Sequence, residues 1–185
     1  MRLNHFPEIK ICVKAAKDLT LRPLSNADIP EFARIRADQS VAECLSHDRL
    51  NRSEAARIGQ WLTTFSDEDW LTWGIGLAAI LEQPSNQFIG YCGLHWIDSL
   101  CKFEICYMLA PNYWGRGIAS ACVGTVVEYV RAHAICDQII GLVSADNFKS
   151  KKVLLRNGFV FRCTIPDGSI ELDYFFLDLL CSQQV

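Results

Sequence analysis

Residues 109–120 read Leu109-Ala110-Pro111-Asn112-Tyr113-Trp114-Gly115-Arg116-Gly117-Ile118-Ala119-Ser120. A β-rich run ends at the start of this stretch, two glycines follow, and a helical period of apolar residues begins at Ile118. The first N–H groups of a helix have no partner inside it, and the helix dipole favours anions there. Glycines let the main chain approach a phosphate closely. We therefore predict a phosphate or pyrophosphate site here, with Arg116 as an additional cation.

The glycines alone are equally compatible with a plain strand-to-helix turn. No Gly-Lys-Ser/Thr follows, so this is not a Walker A loop. The dinucleotide pattern Gly-x-Gly-x-x-Gly is also absent, and the unit comes late in the chain.

Strand-like and helix-like runs alternate along the rest of the chain, without repeats or linkers. In chain order we first predict a strand over residues 19–24, a helix carrying Phe32 and Ile35, and a second helix that begins at Asn51 and Glu54 and carries Ile58, Trp61, Leu62 and Phe65. A meander of three strands follows over residues 73–81, 88–97 and 103–109, and then a helix from Ile118 through Val130 and a strand over 139–145. The last elements are a helix that begins at Asn147 and ends at Asn157-Gly158, and a hairpin over 159–164 and 171–180 that turns at Pro166-Asp167-Gly168. That order predicts one α/β domain over residues 1–185, with a mixed sheet.

Composition limits the function. Half of the 185 residues are apolar, and the net charge is −3 without a long basic block, so we expect no nucleic-acid binding. No run reaches the roughly eighteen apolar residues that a membrane span needs. Charged residues interrupt the first 17 residues, which argues against a signal peptide. We expect a cytoplasmic protein without membrane association.

Nine cysteines are many for this length. They form neither a CxxC pair nor a Cys/His cluster with zinc-ligand spacing, so we predict no metal site. Several lie in apolar runs, such as Cys106 and Cys122. We interpret them as small buried hydrophobes in a reducing compartment.

Three segments resemble one family. Residues 114–119, Trp-Gly-Arg-Gly-Ile-Ala, resemble the acetyl-CoA loop of GNAT acetyltransferases, Gln/Arg-x-x-Gly-x-Gly/Ala, with Trp114 at the first position. The Tyr-Trp-Gly-x-Gly form is similar to the branch that acetylates ribosomal-protein N-termini. Residues 147–159 resemble that branch's Asn-x-x-Ser followed by Gly-Phe, and residues 103–109 its Glu-Ile-Gly-Tyr-x-Leu strand, with Cys106 in place of Gly. Together with the opening strand Leu-Arg-Pro-Leu at residues 21–24, the resemblance spans about residues 19–179.

The resemblance implies a splayed, mostly antiparallel sheet of six to seven strands, flanked by about four helices. Acetyl-CoA would lie between the fourth and fifth strands as the cosubstrate. The residues implied to bind it are Tyr107, Met108 and Leu109 for the pantetheine arm, Gly115, Arg116, Gly117, Ile118, Ala119 and Ser120 for the pyrophosphate, and Asn147.

Acetyl transfer from a thioester to an amine needs a base, donors for the oxyanion and an acid for the leaving thiolate. Glu104 is our candidate base because it alternates with apolar neighbours and can face the cleft. His95 is the second candidate. Ser150 is the candidate acid or a hydrogen-bond partner of the CoA sulfur. Many relatives carry a Tyr seven residues after the Asn, where this chain has Leu154.

The predicted function is direct acetyl transfer to a primary amine, such as a protein N-terminus. A small amine (a polyamine, an aminoglycoside or an amino acid) and a non-catalytic acetyl-CoA-binding role remain alternatives. The sequence leaves open whether the protein is a monomer or a homodimer.

Overall fold

A computed structural model of the protein describes residues 9–11, 18–44, 52–168 and 170–180. Its strands are β1 (Ile9–Ile11), β2 (Leu19–Pro23), β3 (Leu77–Glu82), β4 (Gln87–Ile97), β5 (Lys102–Leu109), β6 (Gln138–Ser144), β7 (Val160–Asp167) and β8 (Ile170–Asp178). Its α-helices are α1 (Ile29–Arg36), α2 (Gln39–Cys44), α3 (Arg52–Trp73), α4 (Ile118–His133) and α5 (Phe148–Arg156). The predicted capping residue Asn51 lies outside the described residues, as do Cys12 and Cys181.

All eight strands form one sheet in the order β1-β2-β3-β4-β5-β6-β8-β7. Every neighbouring pair is antiparallel except β5 and β6, whose parallel pairing covers only Phe103 with Ile139 and Glu104 with Ile140. Both strands continue beyond these pairs, so the sheet splays there. The predicted mixed, mostly antiparallel and splayed sheet is confirmed. The sequence did not predict the short strand β1 or the helix α2.

Each face of the sheet has its own apolar core. On one face α4 packs its Ile118, Val123 and Val130 against β5, β6 and β8, because these residues lie on one stripe of the helix. On the other face Phe32 and Ile35 of α1 pack against β3 and β5. Alternate residues of β5 therefore point toward two differently built environments.

The second predicted helix is longer than expected. Residues 73–81 form one apolar run in the sequence, but α3 continues through Trp73 and β3 begins only at Leu77. The break comes at Gly74, whose φ of 72° suits the end of a helix. The Trp73 ring packs 4.9 Å from the Trp96 ring, so the apolar character of this position reflects tertiary contact.

Small and polar residues form the buried stripe of α3. Its fully buried positions are Ala55, Gly59, Thr63, Ser66 and Asp69, whereas Trp61 of the predicted apolar face is 53% exposed. A Cβ on Gly59 would lie 2.9 Å from the Phe32 ring. Close packing of α3 against α1 therefore depends on small side chains, a requirement that hydrophobic periodicity does not report.

The structure differs from the sequence predictions in two further places, the terminal hairpin and the cysteines. The terminal hairpin turns at Gly168, one residue beyond β7, and Pro166 and Asp167 belong to that strand. Among the described cysteines, Cys92 and Cys122 are buried as expected, Cys44, Cys106 and Cys136 are half-buried, and Cys101 and Cys163 are exposed. No disulfide joins the cysteines that the structure describes.

The buried hydroxyl of Ser66 joins α3 to β3. It accepts the Leu77 N–H over 2.8 Å and donates to the Leu77 carbonyl over 3.1 Å. We predict that Ser66→Ala lowers the free energy of unfolding by about 1–3 kcal/mol, because a buried N–H loses its partner. Urea denaturation measures the loss. The exposed Thr64, whose hydroxyl only bonds back to Gln60, is the control, and Thr64→Ala should change stability by less than about 0.5 kcal/mol. Equal losses in the two variants would contradict this role.

Candidate active site

The splay between β5 and β6 leaves main-chain groups of β5 without a strand partner. The Ala110 N–H donates to the Ile89 carbonyl over 2.8 Å, and bonded pairs alternate along an antiparallel ladder. In this register Met108 bonds to β4, whereas Tyr107 and Leu109 turn their N–H and C=O groups toward the gap. Of the three strand residues predicted to hold the pantetheine arm, Met108 therefore offers the gap no main-chain group.

A carboxylate stands where the two strands part. Glu104 is the last residue of β5 that pairs with β6, opposite Ile140. The N–H of Leu142, two residues further along β6, is near enough to the Glu104 carboxylate to favour the ionised form. Glu104 therefore lies at the inner end of the gap, beside a main-chain donor of β6.

Glycines shape the loop at the outer end of the gap. Gly115 and Gly117 have φ values of 73° and 77°, in the left-handed region that other residues rarely adopt. Gly117 is the N-cap of α4, and the first bond of the helix runs from the Ala121 N–H to the Gly117 carbonyl. Within the described part of the chain, the N–H groups of residues 115–120 donate no hydrogen bond. Six amides at one helix start are therefore available to an anion.

Side chains hold this loop in place. The Trp114 Nε1–H donates to the Leu109 carbonyl over 2.8 Å, which ties the loop to the end of β5. The Asn157 amide donates to the Ser120 hydroxyl over 3.1 Å and links the start of α4 to the end of α5. The ammonium of Lys149 lies 4.4 Å from the Trp114 ring centroid, so a cation stands beside the free amides.

One open cavity of about 860 Å³ brings the predicted residues together. Its walls include Glu104 and Ser150, the strand residues Tyr107, Met108 and Leu109, the loop residues Gly115, Gly117, Ile118, Ala119 and Ser120, and Asn147. Arg116 and the second candidate base His95 do not line it; the Arg116 guanidinium lies 5.4 Å from the Tyr113 ring centroid and is exposed. Glu104 and Tyr107 point to opposite faces of β5 and meet in the cavity only because the sheet is open there.

The environment of Glu104 suits a base. Burial raises the pKa of its carboxyl from 4.5 to about 7, although the Leu142 N–H, the nearby His95 and the Cys106 thiol favour the ionised form. A carboxyl with such a pKa changes its protonation state near neutral pH, as a general base must. The alternation of Glu104 with apolar neighbours did not predict how deeply it is buried.

The hydroxyl of Ser150 belongs to a pair. The Tyr107 and Ser150 hydroxyl oxygens lie 2.6 Å apart, and Tyr107 is also within 3.2 Å of the Ser150 carbonyl. Burial raises the pKa of the Tyr107 hydroxyl. Leu154, at the position where many relatives carry a Tyr, is fully buried in the core, so Tyr107 and Ser150 supply the hydroxyl groups on this side.

Asn147 already has partners within the protein. Its carbonyl accepts the Ser150 N–H over 3.0 Å as the cap of α5, and its amide donates to the Cys44 carbonyl over 2.7 Å. The residue fixes Ser150 and the end of α2 relative to each other. A role in ligand contact remains a prediction.

Sequence reasoning missed Cys44 and Tyr91, which line the cavity on the side of α1, α2 and α3. They come from segments without a recognisable motif, and only the packing of these helices on β4 and β5 places them beside Glu104. The Tyr91 hydroxyl makes no hydrogen bond within the described residues.

A family model described as an acetyltransferase (GNAT) domain matches residues 18–160. An uncharacterised N-acetyltransferase of Schizosaccharomyces pombe is 27% identical over 158 residues, which cover 81% of this chain and 84% of the relative.

Solved structures share the fold. The ribosomal L7/L12 α-N-protein acetyltransferase RimL, in complex with coenzyme A, superposes with a TM-score of 0.72 at 16% identity, covering 92% of this chain and 98% of that one. The aminoglycoside acetyltransferase AAC(6')-Ib, also in complex with coenzyme A, gives a TM-score of 0.68 at 15% identity, covering 86% and 94%. No helix in the described ranges is long and apolar enough to span a membrane.

Glu104 should make stability depend on pH in an unusual direction. Its pKa is higher in the folded state, so the folded protein binds the extra proton and becomes less stable as pH rises from 4.5 to about 7. We predict that wild type loses up to about 3 kcal/mol relative to Glu104→Gln between about pH 5 and pH 8. Urea denaturation of both proteins at the two pH values measures this difference, in which the groups that do not interact with Glu104 cancel. Parallel pH dependences would show that Glu104 is not buried as described.

Proposed function

Since the chain belongs to the GNAT acetyltransferase family and is an N-acetyltransferase, we propose that it moves the acetyl group of acetyl-CoA directly to the primary amine of a protein N-terminus. One observation carries the proposal: a carboxylate with a pKa near 7 and a row of free helix-start amides line the same cavity. The first suits the removal of a proton from an amine, and the second suits a diphosphate.

The cofactor assignment rests on the chemistry of the loop. Amides of residues 115–120 are free donors within the described residues, and a helix start favours negative charge. Lys149, Lys152 and Arg156 line the same part of the cavity and add positive charge for phosphate groups. The gap-facing amides of Tyr107 and Leu109 would bind the pantetheine arm and the acetyl carbonyl, and there they would stabilise an oxyanion.

The catalytic roles follow from position. Glu104 takes a proton from the acceptor amine, directly or through water, before the nitrogen attacks the thioester carbon. The bond between carbon and sulfur then breaks, and the thiolate receives a proton. Ser150 is the donor or hydrogen-bond partner for that sulfur, because Tyr107 and Asn147 fix the position of its hydroxyl.

The cavity wall opposite α5 indicates which chemical class of acceptor the protein would bind. Cys44, Trp61 and Tyr91 there are uncharged, whereas the cationic residues of the cavity wall lie on α5. The Tyr91 hydroxyl is a free donor within the described residues. It suits an acceptor with an oxygen near its amine. A peptide N-terminus carries such a carbonyl oxygen, and a polyamine has none.

The cofactor assignment predicts that Gly117→Val abolishes acetyl-CoA binding. A β-branched side chain is strained at a φ of 77°, so the loop must change shape and its amides turn away. Isothermal titration calorimetry measures the affinity. Gly74→Val is the matched control, since Gly74 has a φ of 72° but lies outside the cavity wall. Unchanged affinity in Gly117→Val would reject the loop as the diphosphate site.

The acceptor assignment predicts that peptides with a free N-terminus are acetylated at least about tenfold more efficiently than a polyamine, since a tenfold ratio corresponds to one hydrogen bond. CoA release with acetyl-CoA as the donor compares peptides, a polyamine and an aminoglycoside, and an N-terminally blocked peptide is the control. Tyr91→Phe should raise KM for peptides and leave the polyamine rate unchanged. Faster turnover of the polyamine or the aminoglycoside would replace the peptide by a small amine as the acceptor.

A further inference from the structure

Three ionisable side chains lie one behind the other in space, on the acceptor side of the cavity. His95 of β4 is directly opposite Glu104 of β5. Residues that face each other across an antiparallel pair point to the same side of the sheet, with Cβ atoms about 4.5–5.5 Å apart. The side covered by α3 therefore carries both groups, and α3 contributes the third, Asp69.

The imidazole is held on two sides. Its Nδ1 lies 2.9 Å from Oδ2 of the buried Asp69, and because a carboxylate only accepts, the Nδ1–H is the donor. The same oxygen accepts the Trp96 N–H over 3.3 Å, which fixes the carboxylate. The rings of Phe65 and Trp61 lie 5.5 and 6.4 Å from the imidazole at steep angles. His95 has little freedom to turn away from Glu104.

We propose that Asp69 and His95 are positioning residues that keep Glu104 ionised, so that it can accept a proton from the acceptor amine. The inference rests on the proposed role of Glu104 as the base. Neither residue contacts a reacting atom. Asp69 stabilises the positive form of the imidazole, and that positive charge opposes the cost of burying the Glu104 carboxylate.

The distribution of one proton explains the arrangement. When Glu104 and His95 share a single proton, it can sit on the carboxyl, which leaves no base, or on the imidazole, which leaves the base free. The bond to Asp69 raises the pKa of His95, and burial partly opposes this. The other groups that act on the pair are Asp98, which favours the charged imidazole, and the Cys106 thiol and Leu142 N–H, which favour the carboxylate. Asp69 therefore biases the proton toward the imidazole.

The pH dependence of kcat/KM tests the proposal with the full-length enzyme. Activity should rise with pH as Glu104 loses its proton. In His95→Gln and in Asp69→Asn we expect this rise to move to higher pH by about half a unit to one unit, because a favourable charge is lost. The double variant should show no additional shift, since Asp69 acts through His95. A ¹³C NMR titration of the Glu104 carboxyl, assigned with Glu104→Gln, should show the same displacement in each variant without relying on turnover.

Asp98→Asn is the control for the loss of a nearby negative charge. Its carboxylate bonds to the Trp96 Nε1–H over 2.8 Å at the surface, where solvent screens it, so we expect a clearly smaller displacement. Thermal denaturation identifies a variant that fails to fold, and His95→Gln is the milder of the two changes because it leaves Asp69 bonded to the Trp96 N–H.

The experiments distinguish a failure of the positioning role from a failure of Glu104 as the base. If Glu104→Gln is inactive but neither the pH profile nor the NMR titration moves in His95→Gln, the positioning role is wrong and the base stands. If Glu104→Gln keeps full activity, both fall together. A shift in Asp69→Asn that adds to that of His95→Gln would overturn the linked action of the two residues.

Discussion

The structure depends on a parallel strand pairing that stops after two residue pairs. β5 and β6 are joined only at Phe103 and Glu104, and beyond that point the two strands diverge within one continuous sheet. An unpaired strand edge in the interior would be costly, because buried amides need partners. Here a cavity replaces the missing neighbour, and among the described residues Tyr107 and Leu109 turn their amides toward it without a strand partner. The site is thus a consequence of incomplete pairing.

The opening also decides how the chemical groups meet. Side chains on a strand alternate between faces, so Glu104 and Tyr107 would normally be separated by the sheet. Where β6 diverges, no strand stands between them, and residues packed under α1 and α3 share a cavity with residues packed under α4 and α5. One face supplies the ionisable groups Asp69, His95 and Glu104, and the other supplies hydroxyls and free amides. We interpret this as a separation between proton removal and cofactor binding.

Much of this arrangement could be predicted from the sequence because local rules apply to it. Gly117 before an apolar helix, Asn147 as a cap and the strand around Glu104 are set by backbone conformation and residue spacing. The buried stripe of α3 could not be predicted, because Ser66 and Asp69 are buried by specific hydrogen bonds rather than by hydrophobicity. The place of Tyr91 in the cavity could not be predicted either, because it depends on the packing of α1 on β4. Long-range contacts decide such positions, and spacing along the chain carries little information about them.

The uneven placement of the cysteines has a practical consequence for studying turnover. The thiols of Cys101 and Cys163 face solvent, whereas burial strongly raises the pKa of the Cys92 and Cys106 thiols. Because the thiolate is the reactive form, a colorimetric disulfide reagent will react with these two exposed positions before the fully buried Cys92 and Cys122, among the cysteines that the structure describes. The enzyme itself therefore contributes a stoichiometric background to any thiol count. The same two thiols can carry fluorescent or spin labels.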